Sequence, residues 1–438
     1  MTSRSASSLS YAWFVVVLLL VAYVVSFIDR QILVLMVRPV RSDLQLSDTS
    51  ISVLIGFAFG IFFALVGLPF GRIVDRTHRR NFILFGITLW SLATVGCGLT
   101  NSFATLFVAR MLVGVGEAVL VPAGYSMIAD YFPRHLRARA LSTFSMGLFL
   151  GSGVAFLCGG WVVAFTSGSA ETTLPLLGTL RPWQLSYIVV GLPGFAVALL
   201  MLLVREPQRR DPSAQLGAMP LRAVFGYLRQ HRRVYVLLVC GLAITGFLNA
   251  GFAVWIPTFF DRHFGWPPGR IGVAYGLIQI VAGMAGVITA GQLADRQART
   301  GNTDGMLRVV RVATLLLLPL APFVGIAADA TLALVLLALV VFLLGFVVGL
   351  GTPLLYSISP NRMHGQVVSL FQFIIYLISF GAGSTGVALL TDYVFRDDNA
   401  VGRSLSVIAL LSTTIGLACL IAVNRPYRQL AETAERST

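Results

Sequence analysis

Lysine is absent from this sequence, and all 32 basic residues are arginine. A Walker A phosphate loop needs its lysine, so ATP hydrolysis through that motif is excluded. Charge of either sign is scarce: 11% of the 438 residues are charged, against 57% hydrophobic. No soluble domain needs that much apolar surface, and the composition is that of a polytopic membrane protein. Cysteine is rare too. Cys97, Cys158, Cys240 and Cys419 sit in apolar runs without metal-ligand spacing, so neither a metal site nor a disulfide framework is expected. The five histidines are scattered, and neither HExxH nor G-x-S-x-G occurs, so nothing points to an enzyme or a cofactor. No filter loop or charged ring suggests a channel.

What the sequence does have is a series of apolar runs. Hydropathy places twelve membrane spans near residues 11–37, 49–70, 81–100, 103–130, 138–166, 184–204, 233–260, 270–293, 308–327, 331–356, 364–392 and 404–424. The arginine-rich connection after residue 204 divides them six and six. The expected organisation is a bundle at 1–204, a linker at 205–232 and a second bundle at 233–438. Arginines gather in alternate loops, which by the positive-inside rule face the cytoplasm with both termini. That distribution explains the net charge of +14 by topology and by contact with anionic membrane lipid, with no call for nucleic acid. The chain also repeats: Gly56 to Arg76 ends in GRIVDR and Gly276 to Arg296 ends in GQLADR. Two repeated six-helix halves suggest a secondary transporter with its substrate site near the midplane.

Ionisable residues inside such spans are costly and mark function. The run from Leu106 to Ala118 holds Arg110 and Glu117, two helical turns apart and so on one face. Gly114 and Gly116 lie between them and let a neighbouring helix approach. The first span carries Asp29-Arg30 near its end, with Asp29 about 12 Å inside the outer face and level with Arg110. Asp29 and Glu117 are the candidate proton carriers. Arg30 and Arg110 are the candidates for an anionic head group, because guanidinium matches carboxylate and phosphate in bidentate geometry. Arg30 points about 100° away from Asp29, which leaves its side open between substrate contact, helix packing and snorkelling. The C-terminal half offers only neutral candidates for substrate contact: Asn249, Trp255, Tyr275, Gln279, Gln372 and Tyr376. A cavity charged on one side and aromatic and apolar on the other suits an amphipathic anion such as a lysolipid, and equally a small aromatic carboxylate.

Gly71-Arg-Ile-Val-Asp75-Arg76-Thr-His-Arg79-Arg80 resembles the loop motif between helices 2 and 3 of the major facilitator superfamily. Leu106-x3-Arg110-x2-Val113-Gly114-x-Gly116-x-Ala118 resembles its helix-4 motif, and Gly147-x3-Gly151 with Gly159-Gly160 a weaker form of its helix-5 motif. His78 stands where the loop motif has glycine, and helix 5 lacks the usual proline. Asp29-Arg30, Asp-Tyr-Phe-Pro at 130–133 and Val-Gly-Glu-Ala at 115–118 look most like bacterial spinster-like transporters. Carboxylate:proton symporters of the anion:cation symporter branch share the Asp-Arg and Arg…Glu pattern.

The resemblance implies an all-α membrane protein of the major facilitator fold, with 12 transmembrane helices as two six-helix repeats around a central cavity. It implies a monomer of the bacterial inner membrane that moves an organic solute with protons by alternating access, a lysolipid or sphingoid-phosphate-like solute in one branch and a small organic acid in the other. It also assigns Gly71, Asp75, Arg76, Arg79 and Arg80, with Asp295 and Arg296 of the second repeat, to a conformational latch on the cytoplasmic side.

Overall fold

The computed structural model describes residues 9–74, 77–168, 172–174, 178–208, 221–299, 302, 304–360 and 363–436. Among these, twelve helices are long and apolar enough to cross a membrane. Spans 1 to 6 are Leu9–Leu35, Asp48–Gly67, Arg79–Cys97, Phe103–Tyr131, Arg139–Ser167 and Pro182–Met201. Spans 7 to 12 are Arg232–Phe264, Pro268–Arg299, Gly305–Val324, Ala330–Tyr356, Leu370–Phe395 and Asp398–Ala422. The number and order are those expected from hydropathy. The one sheet among the described residues is a hairpin of Thr172–Leu174 with Gly178–Leu180, in the connection between spans 5 and 6. It was not foreseen, because three-residue strands carry too little alternation to read.

The chain forms two compact units. One takes in Met1–Leu46, Ala58–Pro212 and Pro267–Gly276; the other takes in Ser47–Phe57, Ser213–Trp266 and Leu277–Thr438. The start of span 2 and the start of span 8 thus pack in a different unit from the rest of their own helices. In the first unit span 1 lies against spans 5 and 6, and span 4 lies against spans 2 and 3. A Cβ on Gly147 would come within 2.5 Å of the Tyr23 ring, and one on Gly151 within 2.7 Å of Phe27. The glycine-rich face of span 5 is therefore the groove that seats the aromatic residues of span 1. In the second unit span 7 packs on spans 10, 11 and 12, and span 9 on spans 10 and 12.

Several spans are not uniform α-helix. Span 4 is interrupted after Glu117, where Phe103–Glu117 ends and Leu120–Tyr131 begins. Pro122 is the local cause, because it has no N–H to offer the Ala118 carbonyl. Widened π-turns occur at Val53–Phe57, Gln279–Gly283, Tyr376–Gly383 and Leu390–Phe395. Such turns often accompany functional positions in membrane helices. Pro257 and Pro353, by contrast, sit within unbroken helices.

Candidate functional site

The first unit buries four ionisable side chains together. Asp29 and Arg110 are fully buried, Glu117 is 2% exposed and Arg30 is 5% exposed. Arg30 Nη2 donates to Glu117 Oε2 at 2.5 Å, joining span 1 to span 4. Arg110 donates to the backbone carbonyls of Asp29 at 3.2 Å and Arg30 at 3.4 Å. Among the described residues, neither carboxylate oxygen of Asp29 accepts a hydrogen bond, and Glu117 Oε1 accepts none. The Asp29 carboxylate instead lies within electrostatic range of Glu117 and Arg110.

Aromatic rings close the site. The Arg30 guanidinium stands 4.4 Å from the Phe59 ring centroid and 4.8 Å from that of Phe27, and Arg110 is 5.6 Å from Phe59. Ring faces attract a guanidinium while excluding water from it. Close helix approach makes this possible. A Cβ on Gly114 would lie 2.5 Å from the Phe59 carbonyl, and one on Gly116 would lie 2.7 Å from the Trp90 backbone nitrogen. The two glycines between Arg110 and Glu117 thus bring spans 2 and 3 against span 4.

The four residues expected to act together do meet, but the pairing differs in detail from the sequence picture. Arg30, whose direction was open, makes the direct ion pair. Arg110, level with Asp29 as expected, meets the backbone there. The arrangement sums to two positive and two negative groups, with one carboxylate poorly supplied with donors.

The expected latch residues separate. Asp75 and Arg76 lie outside the described residues, and Gly71 is part of the helix Ala58–Val74. Arg79 is 1% exposed and donates to Asp130 at 2.5 Å, Glu206 Oε1 at 2.7 Å, the Ser126 hydroxyl at 3.0 Å and the Pro207 carbonyl at 3.0 Å. The backbone N–H of Arg80 donates to Glu206 Oε2 at 2.9 Å, and its side chain reaches the Leu202 carbonyl. All of these partners belong to the same unit as Arg79 and Arg80. Asp295 and Arg296 are exposed at the end of span 8 and form no ion pair among the described residues.

The neutral candidates are also of two kinds. Trp255 is fully buried, with its indole N–H donating to the Ser384 carbonyl at 2.8 Å, and Tyr275 is buried with its ring 4.7 Å from that of Phe156. These two side chains are engaged in helix packing. Asn249 and Tyr376 are half-buried, Gln372 is exposed, and Gln279 opens one π-turn while Tyr376 opens another.

Sequence reasoning missed two networks. Asp130 lies in the Asp-Tyr-Phe-Pro stretch and Glu206 in the arginine-rich linker, and the signal for their pairing with Arg79 is their acidity beside an arginine-rich loop. In the second unit, Arg262 holds the fully buried Asp48 in a bidentate pair at 2.6 and 2.7 Å. Next to it Thr49 donates to Asp392 through both backbone N–H and hydroxyl at 2.7 Å. Nothing in the local sequence joins positions so far apart.

The fold has counterparts. Residues 19–384 match the profile described as Major Facilitator Superfamily. An MFS-type efflux pump of Mycolicibacterium smegmatis is 27% identical over 425 residues, which are 95% of this chain and 94% of that protein. Protein spinster of Drosophila melanogaster is 25% identical over 294 residues, covering 65% of this chain and 46% of the fly protein. Among solved structures, a bacterial homolog of the human lysosomal transporter spinster, inward-facing and unoccupied, superposes with a TM-score of 0.77. It shares 24% identity and covers 98% of this chain and 99% of that one, a likeness of fold.

Proposed function

The chain belongs to the Major Facilitator Superfamily, and from that premise we propose that it is a proton-coupled secondary transporter of an amphipathic organic anion. The observation that carries this reading is the buried Arg30–Glu117 pair beside an Asp29 carboxylate that accepts no hydrogen bond among the described residues. Two guanidiniums and two carboxylates sum to zero charge. A proton placed on Glu117 cancels its attraction for Arg30 and frees that guanidinium for a carboxylate or phosphate head. One proton with one monoanionic head leaves the sum at zero, so the site accommodates both without burying net charge. Loss of the proton restores the internal pair and expels the anion. Asp29 is the second proton carrier in this scheme, and Arg110 fixes span 1 through its backbone while adding positive potential.

Asn249, Gln279, Gln372 and Tyr376 are the proposed solute contacts of the C-terminal spans, with Trp255 and Tyr275 shaping the walls. A lysolipid or sphingoid phosphate suits a site whose charge is confined to one end and whose surroundings are aromatic. The relatives named spinster support that branch. In the same reading the arginine-rich helix ends and both termini face the bacterial cytoplasm, the protein works as a monomer, and the loop of Gly71, Asp75, Arg76, Arg79 and Arg80 acts as a conformational latch.

The test is counterflow in proteoliposomes preloaded with lysophospholipids, sphingoid phosphates or small organic acids. Saturable exchange of a single-tailed phosphate with no exchange of small acids is the expected result. Exchange confined to small organic acids would move the protein to the carboxylate:proton branch. Conductance without saturation or counterflow would defeat the transporter reading.

A further inference from the structure

A second concentration of arginine lies away from the buried quartet, within the second unit. Arg233 at the start of span 7, Arg311 in the second turn of span 9, and Arg425 just beyond span 12 line a cavity of about 490 Å³ with Asn424, Pro426 and Gln429. Spans 7 and 9 begin, and span 12 ends, on this side, so the cavity sits at one membrane boundary. A second, more open hollow adjoins it and shares Arg233 and Ala422; its other walls include Val236 and Leu237. Val236 is 58% exposed on span 7.

The arginines are not there to answer local carboxylates. Among the described residues, Arg233, Arg311 and Arg425 form no ion pair or hydrogen bond. The contrast with Arg428 is informative, because it lies on the same helix as Arg425, points outward and is paired with Glu432 at 2.9 Å. That helix, Asn424–Arg436, is docked and not free. Tyr427 is fully buried and its hydroxyl meets that of Ser357 at 2.6 Å, while Leu430 and Ala431 are buried beside it. Docking holds Arg425 over the ends of spans 7 and 9. Three guanidiniums gathered at one boundary, with no carboxylate bonded to any of them among the described residues, attract an anion. One further polar atom is unsupplied: the side-chain carbonyl of Asn424 is buried and accepts no hydrogen bond.

We propose that this pair of hollows is a binding site for an anionic phospholipid with a hydroxylated head, of the phosphatidylglycerol class. The phosphate takes the guanidiniums of Arg233, Arg311 and Arg425, and a head-group hydroxyl donates to Asn424. The acyl chains leave over Val236 and Leu237 into the bilayer. The charged cavity, the apolar hollow continuous with it and the depth of both at a helix boundary fit a lipid better than a free anion, which would leave the apolar part unused. The site is independent of the transport reading, since it shares no residue with the Arg30–Glu117 cluster.

The test uses the full-length protein in detergent, with lipid adducts counted by native mass spectrometry and the melting temperature followed on titration. The probes are phosphatidylglycerol, phosphatidylcholine and inorganic phosphate. Phosphatidylglycerol is expected to bind and to raise the melting temperature, and phosphatidylcholine to do neither. Arg425→Gln and Arg311→Gln are each expected to weaken phosphatidylglycerol about ten-fold, as for the loss of one charge-assisted contact. Arg428→Gln should bind as wild type. Arg425 is exposed, so its variant keeps the wild-type melting temperature without lipid and remains informative if Arg311→Gln folds poorly. Equal binding of the two lipids, or wild-type affinity in Arg425→Gln, overturns the proposal. Stabilisation by inorganic phosphate equal to that by phosphatidylglycerol would make this a free-anion site and overturn the lipid assignment.

Discussion

Removing the Arg30 guanidinium strands Glu117 in an apolar interior, with one oxygen already lacking a donor. Losing one partner of a buried ion pair costs about 3–5 kcal/mol. Arg30→Met is therefore expected to lower the melting temperature sharply, and Arg30→Met/Glu117→Leu to recover most of that loss because no charge is left unpaired. The double variant should still fail to transport. If it transports at the wild-type rate, the pair is structural and the proton route lies elsewhere. The cost of charge in a membrane is what made Asp29, Arg110 and Glu117 legible from the sequence. The side taken by Arg30 was not legible, because it depends on where Phe27 and Phe59 leave space for a guanidinium, and those rings come from two spans.

Helix contacts set the geometry of that cluster, and they hang on a few small residues. Gly114→Ala puts a methyl 2.5 Å from the Phe59 carbonyl, and Gly116→Ala puts one 2.7 Å from the Trp90 backbone nitrogen. Neither obstacle is a side chain that can swing away, so spans 2 or 3 must retreat, at about 1–3 kcal/mol for each overpacked site. Gly67→Ala on span 2 meets nothing within 4 Å and is expected to leave the melting temperature unchanged or slightly raised. Thermal unfolding of the three variants in detergent checks the contrast, and equal melting temperatures would show that span 4 does not rely on close approach. Arg79→Ala at the end of span 3 deserts two carboxylates, Asp130 and Glu206, which are held at 2.5 and 2.7 Å. It is expected to destabilise the first unit by about 3 kcal/mol or more, and protease protection of the connection near Pro207 would report it. The glycine-rich steps were readable because spacing alone places them on a helix face. The break of span 4 after Glu117 was less so, because a proline such as Pro122 can equally sit in an unbroken helix, as Pro257 does.

At the scale of the molecule, twelve spans and the repeat at GRIVDR and GQLADR could be read from hydropathy and self-similarity, since each is a property of twenty or more residues at once. The composition of the two compact units could not. Ser47–Phe57 and Pro267–Gly276 each pack away from the rest of their own span, and the buried Asp48–Arg262 pair holds the first of these segments. Such pairing between positions 214 apart leaves no periodic trace. The charge sum at the buried cluster makes a prediction for the whole protein: entry of one monoanion with one proton moves no net charge. Solute uptake should therefore respond to an imposed pH gradient and not to an imposed membrane potential. A potential-driven uptake at equal pH would contradict one-to-one coupling.

In the proposed cycle a proton on Glu117 exchanges with the ion pair to Arg30 as solute moves. Proton flux into proteoliposomes, started by adding the solute that counterflow identifies, tests it directly in wild type, Glu117→Gln and Asp29→Asn. Solute-dependent proton movement is expected in wild type, none in Glu117→Gln although solute exchange persists, and reduced movement in Asp29→Asn. Solute-dependent proton flux in Glu117→Gln at the wild-type rate would contradict that cycle.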